Sequence, residues 1–64
     1  MSEFRETVEL VGGPLDGNRV VVPVGVLFYE KVAPPGLWVY ERTKETTRSD
    51  DPVTRFAWAG SRRN

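Results

Sequence analysis

The sequence predicts an all-β fold of about five short antiparallel strands in a meander, twisted into a small, partly open barrel. Three observations lead to this prediction. Apolar and polar residues alternate over several short stretches, β-branched residues are frequent within them, and glycine or proline separates one stretch from the next. No stretch shows the apolar period of 3.6 residues that is typical of a helix. In a chain of 64 residues, such strands favour one strongly twisted sheet.

Each predicted strand has its own local reason. The first alternates apolar and polar residues, and the second has three consecutive valines before a proline, which has no amide hydrogen for a strand ladder. The third is apolar and aromatic and stops at a Pro-Pro-Gly turn, and the last two alternate around a polar loop. The predicted strands are 7–11, 18–23, 25–32, 37–45 and 53–60, in a single domain, 1–64, with tails at 1–6 and 61–64.

The last two predicted strands each have an aromatic face and an aliphatic face. The aromatic face holds the larger side chains, and the opposite face carries smaller ones such as Val39 and Ala57. Aromatic rings bury the most area per residue, and so short a chain has little other apolar surface to bury. We therefore expect the aromatic face to be the core. An aromatic platform beside arginines that binds single-stranded nucleic acid is the alternative, through Trp38, Tyr40, Arg42, Arg55, Phe56 and Trp58.

The stretch "GGPLDGNRVVVP" raises the question of a phosphate-binding loop. Walker and dinucleotide motifs place a helix behind their glycines, whereas here a strand of valines follows. Local chemistry instead predicts a turn, because proline presets φ, aspartate can bond a downstream amide and glycine accepts positive φ. The paired glycines indicate a bulge or a close backbone crossing. The residues of this structural motif are Gly12, Gly13, Pro14, Asp16 and Gly17.

Composition argues against several classes of function. The chain has no cysteine and no histidine, so it lacks the usual nucleophile, the usual base and the usual zinc ligands, and we expect no enzymatic activity, no cofactor and no metal. Asp50 and Asp51 offer only part of the oxygen set that calcium takes. No apolar run reaches the length of a membrane span, and no export signal is expected. The zero formal charge disfavours nucleic acid.

The turn, the valine strand ending in proline, "LWVY" and "FAWAG" together form a recognisable pattern over about residues 8–60. This pattern resembles small proteins of bacteriophages that infect actinobacteria, which share a Gly-Gly-Pro-x-Asp-Gly motif. The six-residue turn carries most of the specificity, and most of those proteins have no assigned role. The resemblance implies a phage origin more than a mechanism.

A small β domain without catalytic groups commonly works through its surface. The expected function is a non-enzymatic phage protein that binds a protein surface, foremost as a minor capsid component of decoration type that stabilises the virion shell. Binding and inhibition of a host factor in the host cytoplasm, early in infection, is the alternative. Partners would be capsid subunits or copies of the chain itself. The expected anchors to acidic partner surfaces are Arg5, Arg62 and Arg63.

Overall fold

A computed structural model describes residues 4–63 and confirms an all-β fold with five strands in one sheet. One short 3₁₀ turn, Gly13–Leu15, is the only helical element in this range. The predicted tails at 1–6 and 61–64 are partly strand, because β1 already includes Arg5 and β5 continues to Arg63; residues 1–3 and 64 lie outside the described range. The strands are β1 Arg5–Val11, β2 Arg19–Pro23, β3 Phe28–Ala33, β4 Gly36–Thr46 and β5 Thr54–Arg63.

The strand order departs from the predicted antiparallel meander. The sheet runs β2-β1-β5-β4-β3, so β1 and β5 are central and pair in parallel, with Val8 beside Thr54. The other three pairings are antiparallel, as expected. The meander is interrupted because the segment after β2 crosses to the far edge of the sheet instead of turning back beside β2. This crossover, residues 24–27, replaces the first part of the predicted third strand.

The crossover requires the sheet to curl. Four strand spacings of about 4.8 Å separate β2 from β3 in a flat sheet, which is about 19 Å. Five residue steps from Pro23 to Phe28 span at most about 18 Å when fully extended. They are not extended, because the Val26 amide donates to the Pro23 carbonyl at 3.3 Å in a tight turn. The two edges of the sheet must therefore approach each other, which gives the open, barrel-like form.

The inner face of this curled sheet carries the core. Its buried side chains come from β1, β2, β4 and β5, and both aromatic members belong to the face predicted as core. Val39 is also buried, outside this cluster and on the face that was not predicted as core. The turn after β1 lies over one end of the face and the crossover lies over the other. The core residues are Val8, Leu10, Val22, Tyr40 and Phe56, with Leu15, Val20, Val26, Tyr29 and Trp58 packed against them.

A bulge near the end of β5 decides where its last residues lie. Tyr40 pairs with Trp58 while the preceding Val39 pairs with Gly60, so Ala59 is an extra residue on β5. Gly60 has a φ of 108°, a conformation that side chains other than glycine rarely adopt. Past the bulge, Ser61 is the partner of Trp38, and this pair lies beyond the end of the β1–β5 pairing.

Candidate docking surfaces

The glycine-rich stretch folds as a compact turn, residues 12–18, between β1 and β2. Gly12, Gly13 and Gly17 all have positive φ, between 65° and 85°. Asp16 caps the turn from the opposite direction to the one expected, because its Oδ1 accepts from the upstream Gly12 amide at 2.6 Å. The Leu10 amide donates to the Asn18 carbonyl at 2.8 Å and closes the hairpin. These backbone groups are thus engaged within the chain, as a structural turn requires.

Two aromatic side chains of the core fix this turn. The Tyr40 hydroxyl donates to the Gly12 carbonyl at 2.7 Å and accepts from the Leu15 amide at 2.9 Å. The ring of Trp58 lies against Gly13, where an added Cβ would come within 2.6 Å of ring atom Cε3. Tyr40 and Trp58 also pack on each other, with ring centroids 5.1 Å apart. The paired glycines therefore permit a close approach between the turn and the aromatic core.

The crossover at the other end of the inner face is fixed by an ion pair. Arg42 donates from Nε to the Val26 carbonyl and from Nη2 to Glu6 Oε2, both at 2.7 Å, and the Gly25 amide donates to the same carboxylate oxygen at 3.2 Å. Both side chains are 23% exposed. The hydrogen bond from Arg42, with a smaller contribution from the Gly25 amide, holds the pKa of Glu6 below its ordinary value of 4.5 against the opposing effect of partial burial.

The proposed nucleic-acid platform is divided by the fold. Tyr40 and Phe56 are fully buried, and Trp58 is half-buried beneath the turn. The Arg42 guanidinium lies 5.1 Å from the centroid of the Phe56 ring on the inner face, whereas Arg55 lies on the outer face near Glu9, at 3.8 Å. The six residues therefore do not form one exposed surface on which bases stack.

The three predicted anchor arginines lie at opposite ends of the sheet. Arg5 begins β1 and pairs with Pro23, whereas Arg62 and Arg63 end β5. Because β1 and β5 run in parallel from Val8 beside Thr54, Arg5 lies before the start of β5. The structure brings together only Arg62 and Arg63.

Arg62 and Arg63 line a shallow groove of about 500 Å³ at the end of β4 and β5. Trp38 is half-buried in this groove and lies outside the core cluster, so its predicted place in the core is wrong. The physical reason is that Trp38 pairs with Ser61, beyond the last pair of β1 with β5, so β1 does not extend to it. Gly36 also lines the groove, and it lets β4 and β5 approach closely, because an added Cβ there would overlap the Arg62 carbonyl. We call this the arginine groove; its lining is Ala33, Pro34, Pro35, Gly36, Leu37, Trp38, Ser61, Arg62 and Arg63.

The outer face of the sheet carries charges of alternating sign. Glu9 lies between Arg19, at 3.5 Å, and Arg55, at 3.8 Å, and Arg55 also approaches Glu45 at 4.0 Å. In residues 4–63, no group of three or more acidic side chains converges as a metal site, and Asp50 and Asp51 lie exposed on the loop after β4. The outer face therefore presents ion pairs of balanced sign, in which the Arg55 Nε is buried without a hydrogen-bond partner among the described residues.

The structural roles of three side chains that hold segments over the inner face were not predicted from the sequence. The double hydrogen bond of Tyr40 to the turn has no local signal, because 28 residues separate it from Gly12. Glu6 and Arg42, in contrast, did carry a local signal in the sequence. Each continues the alternation of an apolar face, Glu6 with Val8 and Arg42 with Tyr40, and a charge on a core face calls for a partner of opposite sign.

No protein-family model, curated protein or solved structure matches this chain. The described part of the chain has no helix that is long and apolar enough to cross a membrane. The resemblance to the phage proteins therefore stays a prediction based on the motif, and the function is argued from the geometry.

Proposed function

We propose that this chain is a non-enzymatic module that binds a protein surface, and that the arginine groove is its docking site for an acidic segment. The observation that carries the proposal is the position of Trp38 in one groove with Arg62 and Arg63. Tryptophan and arginine are enriched among the residues that dominate binding energy at protein interfaces.

The charges of the groove favour an acidic partner. Arg62 is 65% exposed and lies 3.7 Å from Glu30, which is a solvated contact that a partner carboxylate can replace. Arg63 is exposed and forms no ion pair with any residue of the described range. Strand alternation places Arg63 on the same face as Trp38, so its guanidinium and the indole offer bidentate hydrogen bonds to a carboxylate and an apolar surface next to it. Arg62 lies on the opposite face, beside Glu30, and adds positive charge at the same end of the sheet.

The setting that we propose is the virion shell of a bacteriophage, with the chain as a minor capsid component of decoration type. The resemblance at the Gly-Gly-Pro-x-Asp-Gly turn supports this setting. The groove and the absence of cysteine and histidine support a binding role over a catalytic one. Nucleic acid is the weaker candidate, because Tyr40 and Phe56 are buried and Arg42 is engaged with Glu6.

Quantitative mass spectrometry of gradient-banded virions tests this function. We expect the chain in a copy number comparable to that of the shell subunit. Arg63→Glu should reduce its occupancy strongly, because a carboxylate in the groove repels an acidic segment. Lys44→Glu makes the same charge change at an exposed residue outside the groove and should leave occupancy unchanged.

Absence of the chain from virions, or its presence in only a few copies, would overturn the shell setting. Affinity capture from infected host cells then separates the alternatives. Capture of one cellular protein by the wild-type chain, lost in Arg63→Glu, would indicate binding of a host factor through the same groove. Equal behaviour of Arg63→Glu and Lys44→Glu in both experiments would contradict the groove as the docking site.

A further inference from the structure

The two edge strands of the sheet differ in how well they are protected from pairing. The Leu10 amide donates to the Asn18 carbonyl, and the Val24 amide donates to the Phe4 carbonyl. The backbone N–H and C=O groups of the even-numbered residues of β2 therefore point toward β1. The free edge therefore presents Arg19 and Val21, and then Pro23, which has no amide hydrogen. A charge and a proline are typical protection for an exposed edge.

The free edge of β3 carries one charge, Glu30, but no proline within the strand. The Arg42 amide donates to the Leu27 carbonyl at 2.8 Å, so the backbone N–H and C=O groups of the odd-numbered residues from Leu27 onward point toward β4. The backbone groups of Phe28, Glu30 and Val32 consequently point to the open edge, and no hydrogen bond within the described residues uses them. Their side chains all lie on the outer face, where Phe28 is 48% and Val32 is 72% exposed.

We propose that the β3 edge pairs antiparallel with the β3 edge of a second copy, with Glu30 opposite Glu30 of that copy. Phe28 then lies opposite Val32 of the second copy, and Val32 opposite its Phe28. All three residue pairs use the backbone groups that point outward, so each pair exchanges two hydrogen bonds. The exposed apolar side chains of each copy cover those of the other.

The charges at the centre of this pairing are balanced. The two opposed Glu30 carboxylates repel each other, but each has Arg62 of its own copy at 3.7 Å. A shift of the register by two residues loses both Phe28–Val32 contacts, and in one direction it also places Phe28 opposite Pro34, which has no amide hydrogen. The symmetric register therefore has the largest number of hydrogen bonds and the best apolar match.

The size of the contact predicts a reversible dimer. A strand of six residues buries less than the about 800 Å² per partner of a standard stable interface. We expect association at high protein concentration and dissociation on dilution. Many copies bound side by side would raise the local concentration and favour the pairing. The pairing surface shares the Arg62–Glu30 contact with the arginine groove, but the substitutions that test the pairing change β3 alone and leave Trp38, Arg62 and Arg63 in place, so the two proposals can fail independently.

Single cysteines test the register, because the chain has none of its own. Glu30→Cys places two thiols opposite each other at about 5.5 Å between Cα atoms, within disulfide range. Lys31→Cys, one residue along, places its two copies about 8 Å apart, beyond that range. We expect the purified Glu30→Cys protein to form a disulfide-linked dimer at least about tenfold faster than Lys31→Cys. Equal rates, or no cross-linking in either variant, would overturn the register.

Sedimentation equilibrium of cysteine-free protein tests the pairing itself. Glu30→Lys alone should associate no better than wild type, because lysines then oppose each other beside the two Arg62 side chains. An equimolar mixture of Glu30→Lys with wild type should form a mixed dimer at least about tenfold tighter than either homodimer, a gain of about 1.4 kcal/mol from one opposite-charge pair replacing a like-charge pair. A wild-type chain that stays monomeric at the highest soluble concentration, or a mixture that associates no better than its components, would overturn the proposal.

Discussion

Two segments cover the inner face of the sheet, and they are held by different chemistry. The turn, residues 12–18, is held by a buried hydroxyl and an indole ring, Tyr40 and Trp58, and by glycines that let the backbone approach them. The crossover, residues 24–27, is held by a partly exposed ion pair between Glu6 and Arg42. A thin core can thus be closed either by neutral contacts or by charge, and only the second depends on pH.

The difference has a physical origin in what each segment covers. The turn lies over the aromatic end of the core, where any unsatisfied backbone group would cost about 1 to 3 kcal/mol. A tyrosine hydroxyl, which both donates and accepts, satisfies the two groups there at once. The crossover lies at the open end of the face, where water reaches the ion pair and lowers the cost of burying it.

The largest effect is expected where the turn meets the core. Gly13→Val adds a branched side chain at a φ of 65° and drives it into the Trp58 ring, so we expect a loss of about 3 to 5 kcal/mol in the free energy of unfolding. A domain of this size has a stability of about 3 to 10 kcal/mol, and the variant should be largely unfolded. Circular dichroism during urea titration measures the change.

The matched control for Gly13 is Gly17, which lies in the same turn with a φ of 85° and has no atom within 4 Å of an added Cβ. Gly17→Ala should cost only the backbone strain, about 1 to 2 kcal/mol. If Gly13→Val is no more harmful than Gly17→Ala, the ring contact is not what fixes the turn.

The next effect concerns the hydroxyl that fixes the turn. Tyr40→Phe keeps the ring in the core but leaves the Gly12 carbonyl and the Leu15 amide without their partner, which should cost about 1 to 3 kcal/mol. Tyr29→Phe makes the same chemical change on a half-buried ring whose hydroxyl has no hydrogen bond in residues 4–63, and should change stability by less than about 0.5 kcal/mol. Denaturant midpoints of both variants, at equal m-values, give the comparison; equal midpoints would contradict the role assigned to Tyr40.

The strands and the turn could be predicted from the sequence because their signals are local. Alternation marks Val8 and Leu10 as one face, and Pro14 to Gly17 carry the chemistry of a chain reversal. The parallel pairing of β1 with β5 could not be predicted, since strand order depends on where the residues after Pro23 lead, and their alternation reads equally well as the start of a strand.

The candidate site was predictable only in part. Arg62 and Arg63 were expected to contact a partner, and the structure places them side by side in one groove. Trp38 and Trp58 have the same alternation pattern in their strands, yet one lies in the groove and the other against the core. Trp58 lies beneath the turn, whereas Trp38 lies beyond the end of the β1–β5 pairing, and alternation within one strand does not show how far a neighbouring strand extends.

The crossover is expected to be weaker than the turn and sensitive to acid. The pKa of Glu6 is lower in the folded chain than its ordinary value of 4.5, so the unfolded chain binds more protons in that range. The stability from this carboxylate is therefore present above pH 4.5 and is lost as the pH falls through the lower folded pKa. Glu6→Gln should cost about 1 kcal/mol at pH 7 and nothing at the acid end of the range.

The measurement is the free energy of unfolding of both proteins between pH 7 and about pH 3. Glu41→Gln is the matched control, because Glu41 is exposed on β4 and forms no ion pair with the described residues. The difference between wild type and Glu6→Gln should shrink as the pH falls, and the difference for Glu41→Gln should stay small throughout. A constant difference for Glu6→Gln would mean that its charge does not hold the crossover.

The smallest effect on stability is expected for an ion pair on the outer face, which holds no segment over the core. Arg19 and Glu9 are 3.5 Å apart on the outer face, and half of the Arg19 side chain is exposed, so water and salt screen the pair. Arg19→Gln should lower the free energy of unfolding by no more than about 0.5 kcal/mol, and added salt should abolish the difference. Thermal unfolding at low and high salt measures it beside Arg42→Gln, which removes a guanidinium that is also bonded to the Val26 carbonyl. Arg42→Gln should remain clearly destabilised at high salt, because that hydrogen bond and the contact with Phe56 are shielded by the chain. If added salt abolished the loss of stability equally in both variants, the Glu6–Arg42 pair would be a screened surface pair like Arg19–Glu9. The crossover would then be held only by the apolar contact of Val26 with the core.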